Sequence, residues 1–268
     1  MLFKRILTAV ILIPLVVITT LKLDSSDFVI AMMPVLFISS WEYSGLIKIK
    51  HWVTKVLYVS ALMTAAYFLN QTPFLLMPIL IITLLWWFIN SFWIISFPRH
   101  TRYWHNYLAT RLVNGFFFFV PLLVALSALH QIDSTLVLLL LVLIWSADSG
   151  AYLVGRAIGK NKLLPNVSPG KTIEGVVGGT LLSLGAMFIY VHFSFENAAF
   201  KQYFFYGVLS LVATFASILG DLFESLHKRV AGVKDSGILL PGHGGLFDRI
   251  DSLTASAPIF FLAYSFLT

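Results

Sequence analysis

The densest chemistry in this chain lies between Asp221 and Asp251, where 31 residues hold five acids, four basic residues and two histidines between apolar runs. Asp221, Glu224, Ser225 and Lys228 recur at i, i+3, i+4 and i+7, which is one stripe if a helix continues through Asp221. Gly242-His243-Gly244-Gly245 is a flexible turn whose N–H groups can converge on phosphate oxygens. Asp248, Arg249 and Asp251 then lead into the last apolar run. Carboxylates without thiolates suit Mg²⁺, which takes one or two carboxylates and completes its shell with substrate phosphates and water. Zinc wants histidine and cysteine at tetrahedral spacing, and His227 and His243 form no such pair. The residue types therefore point to an anionic, phosphate-bearing ligand handled beside a divalent cation.

Two further segments belong to the same chemistry. Residues 166–179 read NVSPGKTIEGVVGG. Ser168-Pro169-Gly170 reads as a turn, and Lys171-Thr172 as the opening of a helix whose free N–H groups suit an anion. The competing reading is helix capping by Ser168 or Thr172, with Lys171 as a topology charge. Asp148 sits roughly 20 Å along its apolar run at 1.5 Å per residue, where an acid is costly. It is either a packing acid satisfied by a neighbour or part of a site open to the cytoplasm. Its small neighbours Ser146, Ser149 and Gly150 favour the second. The first half of the chain is quieter: Glu42 is its main intramembrane acid, and pairing with Lys48 is the simpler expectation for it.

The elements that must position these groups are membrane helices. Hydrophobic residues are 59% of 268 and charged residues 11%, against about 25% charged in soluble domains. Nine apolar runs approach the roughly 20 residues a bilayer needs: 6–22, 28–47, 53–69, 74–97, 112–129, 135–155, 173–193, 203–220 and 252–267. Pro14, Pro34, Pro78 and Pro121 inside them are tolerated in membrane helices. The first run follows Lys4 and Arg5 like a signal peptide but has no small-x-small site after it, so it reads as a retained helix. With the N-terminus cytoplasmic and the C-terminus outside, 16 of the 18 basic residues fall on the cytoplasmic side, leaving only Lys22 and Lys201 outside. The net charge of +6 is then topology signalling and contact with anionic lipid, with no nucleic acid required. Trp41, Trp52, Trp86, Trp87, Trp93 and Trp104 lie near run ends, as an aromatic belt would. The absence of cysteine excludes disulfides, thiolate metal sites and a cysteine nucleophile. The expectation is an all-α integral membrane protein with one polytopic domain over 1–268, its catalytic cluster mainly in 145–251.

Ser225-Leu226-His227-Lys228-Arg229, Lys234-Asp235-Ser236-Gly237 and the run from Leu240 to Asp251 together resemble the signature of phosphatidate cytidylyltransferases, the CDP-diacylglycerol synthases. The likeness extends through Ser168–Gly175 and Asp148–Tyr152 to the Lys4-Arg5-Ile6 start, while the first half matches mainly by hydropathy. Gly170 departs from it, since the family commonly has Lys there. The resemblance implies transfer of the cytidylyl group of CTP to phosphatidate with Mg²⁺, and a monovalent cation such as K⁺ beside it. It also implies an all-helical fold, a homodimer, and a multi-pass protein of the bacterial inner membrane. The family's paired metal-binding aspartates carry over to Asp221 and Asp248. Lys228, Arg229, Lys171 and Arg249 become the expected phosphate contacts. His243, Gly244 and Gly245 are expected on pyrophosphate oxygens, with Ser168, Thr172 and Asp148 lining the substrate site. A transporter would place its polar residues near the midplane, often in repeated halves. A CDP-alcohol phosphotransferase would show a four-aspartate motif that this chain lacks. A CTP-dependent lipid kinase is set aside by the signature alone.

Overall fold

The computed structural model describes residues 2–240, 242 and 244–268, with side chains from Val10 onward. Its helices are α1 Leu2–Lys22, α2 Ser25–Leu46, α3 Trp52–Asn70, α4 Leu76–Ser96, the short α5 Thr101–His105, α6 Leu108–Ile132, α7 Ser134–Ile158, α8 Ile173–Ser194, α9 Phe200–Ala231 and α10 Phe247–Leu267. A 3₁₀ turn at Pro73–Leu75 leads into α4. Between α7 and α8 stands an antiparallel hairpin, β1 Lys162–Leu164 with β2 Ser168–Thr172.

Each of the nine apolar runs forms a helix. Among the described residues, eight are long and apolar enough to cross a membrane; for α1 the described apolar stretch, Val10–Lys22, is shorter. The chain is a multi-pass membrane protein. Its outward faces carry large apolar side chains such as Phe88, Ile95, Phe193 and Phe200, each more than two-thirds exposed, which only lipid can cover. Helix starts are capped locally: the Asp24 carboxylate accepts from Asp27 N at 2.8 Å and the Asp133 carboxylate from Thr135 N at 2.8 Å. The prolines expected inside helices are there, Pro78 in the first turn of α4.

The most enclosed helix is α6, surrounded by α2, α3, α4, α7 and α10. Its Phe118 stacks on Phe223 of α9 with ring centroids 5.2 Å apart and meets Phe247 of α10 edge-on at 5.1 Å. Trp86, Trp87 and Trp104 are buried in this same aromatic core, so they pack the interior instead of forming the expected belt; Trp52, 73% exposed, does face outward. The α7–α8 pair is close because glycines meet backbone there: a Cβ on Gly150 would strike the Gly178 carbonyl, and one on Gly178 would strike Val154.

Two departures from the apolar runs shape the site. The eighth run, 203–220, is carried on as helix to Ala231, the continuation on which the Asp221, Glu224, Ser225 and Lys228 stripe depends, ending where Gly232 takes φ +78°. At 1.5 Å per residue α9 is ~48 Å long, well beyond a ~30 Å hydrocarbon core, so its polar last third projects past the apolar layer. The second departure is the hairpin. Ser168-Pro169-Gly170 is strand and not turn; the reversal lies just before it, closed by Val167 N donating to Leu164 O at 3.1 Å, with Val167 buried beneath.

Candidate active site

The site is built where α9 and α10 cross. Gly220 allows that crossing: a Cβ there would strike the Asp251 carbonyl and approach Ser252 Cα to 3.2 Å. The close approach brings Asp251 opposite Asp221 and Glu224, and one carboxylate oxygen from each of the three lies within 4.8 Å of the others. Glu224 is fully buried and pairs with Lys228 one turn on, the contact that i, i+4 spacing provides. Lys228 Nζ also donates to Asp248 Oδ1 at 2.6 Å, tying α9 to the first turn of α10. Hard oxygen donors in this number, with no imidazole among them, fit Mg²⁺. His227 does not compete as a zinc ligand. It is buried among Tyr43, Trp104, Phe118 and Phe223, with Nδ1 on the Phe223 carbonyl at 2.9 Å.

The signature loop is held by two carboxylates. Asp248 Oδ2 accepts from Ser236 N at 2.9 Å, Ser236 Oγ at 3.0 Å and Gly245 N at 2.8 Å. Thus the Gly245 N–H, expected on a phosphate, is engaged by Asp248. Gly244, at φ +81°, instead shapes the turn, its carbonyl accepting from Leu240 N at 2.9 Å. Glu42 reaches across from α2. Its Oε1 accepts from Leu246 N at 3.1 Å, and its Oε2 from Phe247 N at 2.8 Å and Ser236 Oγ at 3.2 Å. Glu42 is therefore not paired with Lys48 but caps α10, and its negative charge suits a helix start. Gly237 and Gly245 both pack against its carboxylate. His243 lies outside the described residues.

A cavity of about 420 Å³ opens beside this network between α7, α8, α9 and the hairpin, within the ~300–1,000 Å³ range of small-molecule sites. Asp148, Arg156, Ser168, Lys171, Thr172 and Asp221 line its polar part. The Lys171 ammonium pairs with Asp221 Oδ2 at 2.6 Å, and Ser225 Oγ donates to Asp221 Oδ1 at 3.2 Å. Burial lowers the affinity of Lys171 for its proton, but the adjoining Asp221 carboxylate outweighs it and holds the group above its ordinary value, hence cationic. Thr172 caps α8, its Oγ1 accepting from Gly175 N at 3.1 Å. Arg156, which the sequence reading passed over, donates to the Tyr152 hydroxyl at 2.8 Å on the same wall.

The remaining expected residues are distributed unevenly. Arg229 donates from Nε to Val167 O at 3.0 Å, so it pins the hairpin to α9. Arg249 is exposed on the first turn of α10. Glu224 and Asp251 were visible in the stripe and in the helix lead-in but were not singled out as ligands; the i, i+3 spacing of Asp221 to Glu224 and Asp248 to Asp251 was their signal.

This chain is similar along its length to known proteins. The model of the cytidylyltransferase family matches residues 3–267. A phosphatidate cytidylyltransferase of Haemophilus influenzae is 37% identical over 287 aligned positions, covering 100% of both chains. One from Pseudomonas aeruginosa is 37% identical over 265 residues, 97% of this chain and 96% of its own. One from Bacillus subtilis is 42% identical over 133 residues, 50% of this chain and 48% of its own.

Proposed function

We propose that this chain, a nucleotidyltransferase that belongs to the cytidylyltransferase family, transfers the cytidylyl group of CTP to phosphatidate, releasing pyrophosphate and forming CDP-diacylglycerol. The observation that carries the reading is the cavity with Lys171 and Asp221 at its polar end and apolar walls beyond. A water-soluble triphosphate and a lipid phosphate can meet only where a polar cluster adjoins an apolar one. In the reaction a phosphatidate oxygen attacks the α-phosphorus of CTP. The new P–O bond forms as the bond to the β-phosphate bridging oxygen breaks, and the electron pair leaves with pyrophosphate. No protein nucleophile is needed, in keeping with a chain that has no cysteine. The protein's task is to bring two anions together and align them. Lys171 and Arg156 face the lipid phosphate, and Lys228 and Arg249 the triphosphate, with Asp148 and Ser168 bounding the reacting groups.

Asp221 and Asp248 would hold Mg²⁺, with a monovalent cation such as K⁺ alongside. Mg²⁺ supplies charge neutralisation on the α-phosphate and on the departing pyrophosphate. In this reading Asp248 gives up Lys228 to the triphosphate as the substrates bind. A second reading has a specific basis: Glu224 and Asp251 lie nearer Asp221 in the described geometry and would complete the metal site instead of Asp248. The same proposal has nine spans with a cytoplasmic N-terminus, a site on the cytoplasmic face of a bacterial inner membrane, and a homodimer. The cytoplasmic bias of the basic residues supports the orientation.

Label position tests the reaction. With CTP labelled at the α-phosphorus, the label is expected in the lipid; with the γ-label, it is expected in water-soluble pyrophosphate. A γ-label recovered in lipid would mean a kinase and overturn the reading.

A further inference from the structure

Among the residues that line the cavity, one buried hydroxyl has no hydrogen-bond partner among the described residues. Thr214 of α9 lines the cavity, is 1% exposed, and its buried Oγ1 meets no donor or acceptor among the described residues. Threonine in a helix ordinarily turns its hydroxyl onto the carbonyl three or four residues back. Elsewhere in this chain it does so: Thr83 donates to Ile79 O at 2.7 Å and Thr180 to Val176 O at 2.8 Å. Other polar groups around Thr214 are satisfied as well. Ser217 donates to the Thr214 carbonyl at 2.8 Å, and Ser183 and Ser210 pair at 3.0 Å. Ser39 and Ser96 also bury hydroxyls without a partner among the described residues, but neither lines this cavity; Thr214 does, so its unpaired donor adjoins a space that a ligand can fill.

Its depth identifies that acceptor. Thr214, Ser217 and Asp221 form one wall at i, i+3 and i+7, so Thr214 stands about 10 Å further along α9 than Asp221. The polar end of the cavity is charged, with Lys171 and Arg156 beside Asp148 and Asp221 and Lys171 paired to Asp221, while Ala147, Ala151, Val176 and Ile218 make the rest apolar. A nucleoside triphosphate is polar along its whole length and does not match such a gradient. A glycerophospholipid does. Five bonds separate the phosphorus of a phosphatidate from its sn-2 carbonyl carbon, about 6 Å when extended, and the phosphate and carbonyl oxygens add roughly a bond length at each end. That span matches the separation between the Lys171–Asp221 level and Thr214.

We infer that Thr214 is a specificity-determining residue whose hydroxyl donates to an ester carbonyl of the lipid substrate, so that the cavity tells ester-linked from ether-linked chains. The inference rests on the reading that this cavity takes the phosphatidate of the cytidylyl transfer. The test measures kcat/KM of the purified full chain, with CTP and Mg²⁺ saturating, on diacyl and dialkyl phosphatidates of equal chain length. Wild type is expected to prefer the ester lipid roughly five- to tenfold, the worth of one neutral hydrogen bond. Thr214→Val, nearly isosteric, is expected to treat the two lipids alike, with the change in lipid KM and none in CTP KM. Thr214→Ser keeps the hydroxyl and is expected to restore the preference, which a purely structural role for the methyl group would not produce. Thr214→Ala gives the same comparison if the valine variant does not fold. A wild type indifferent to the linkage, a hydroxyl-free variant keeping the wild-type ratio, or a change confined to CTP KM would each overturn the inference. If wild type forms no CDP-lipid from either substrate, the reaction reading itself fails and takes the inference with it, a result separable from all of these.

Discussion

Asp221 and Asp248 are both carboxylates against a lysine, yet their surroundings differ. Asp221 keeps one oxygen on Lys171 and, among the described residues, receives Ser225 on the other, whereas Asp248 is enclosed by Lys228, Ser236 and Gly245. Asp221→Asn should lose several kcal/mol of transition-state stabilisation, on the order of 10³-fold in turnover, while the protein still inserts in the membrane. Asp248→Asn should lose as much, and a Mg²⁺ titration separates the two readings of the metal site. If Asp248 is a ligand, its loss raises the Mg²⁺ concentration for half-maximal activity. If Glu224 and Asp251 are the ligands, Asp251→Asn shows that rise and Asp248→Asn does not. More than about a tenth of wild-type turnover in Asp221→Asn at saturating Mg²⁺ would remove it from the metal site under either reading. Glu42→Gln puts an amide donor where two backbone N–H groups already point. Losing a charged cap of this kind costs roughly 1–3 kcal/mol, so the 232–246 loop should be cleaved faster in limited proteolysis and turnover should fall. Unchanged cleavage would mean that Glu42 does not hold the loop. At this scale the acids of α9 and α10 could be found from their spacing, but the partner of Glu42 could not. It lies 204 and 205 residues away, and nothing local distinguishes those backbone N–H groups from a nearby lysine as its destination.

Between elements, the critical contact is the α9–α10 crossing at Gly220, because it sets how far Asp221 stands from Asp251 and, through Lys228, from Asp248. In Gly220→Ala the added methyl meets backbone of α10, which cannot swing aside as a side-chain tip would. Overpacking of this sort costs about 1–3 kcal/mol, and moving reacting groups by ~1 Å costs on the order of 10² in rate. The variant should unfold at a lower temperature in detergent and lose turnover more severely than stability; near-wild-type turnover would show that the crossing has slack. The run of apolar residues gave the helices themselves, and the i, i+3, i+4, i+7 stripe foretold that α9 could outlast its apolar part. The hairpin was hidden because Pro169 and Gly170 carry strong turn preferences. Those preferences were overruled by pairing with β1 and by the Arg229 link from α9 to Val167, both tertiary effects.

For the whole molecule the decisive quantity is sidedness, since the proposed cytidylyl transfer needs a site that CTP can reach from the cytoplasm. Alternation from a cytoplasmic N-terminus puts Lys50, Lys162 and Lys234 on one side and Asn70, Gln131 and Lys201 on the other. In the fold these positions all fall at or beyond helix ends: Lys50 between α2 and α3, Asn70 closing α3, Gln131 in the last turn of α6, Lys162 on the hairpin, Lys201 opening α9 and Lys234 after it. Five are exposed and Asn70 is half-buried, so a thiol at each can be reached. The chain has no cysteine of its own, so each single substitution reports alone. Cysteines at 50, 162 and 234 should react with a membrane-impermeant maleimide only in inverted vesicles, and those at 70, 131 and 201 only in intact cells or right-side-out vesicles. The pair 201 and 234 bears most directly on function. These residues flank the ~48 Å of α9, so opposite sidedness would establish that α9 crosses the membrane and delivers Asp221, Glu224 and Lys228 to the face where 234 is labelled. Labelling at 234 from outside would put the acidic cluster beyond the reach of cytoplasmic CTP and end the cytidylyl-transfer reading of the site, whatever the fold.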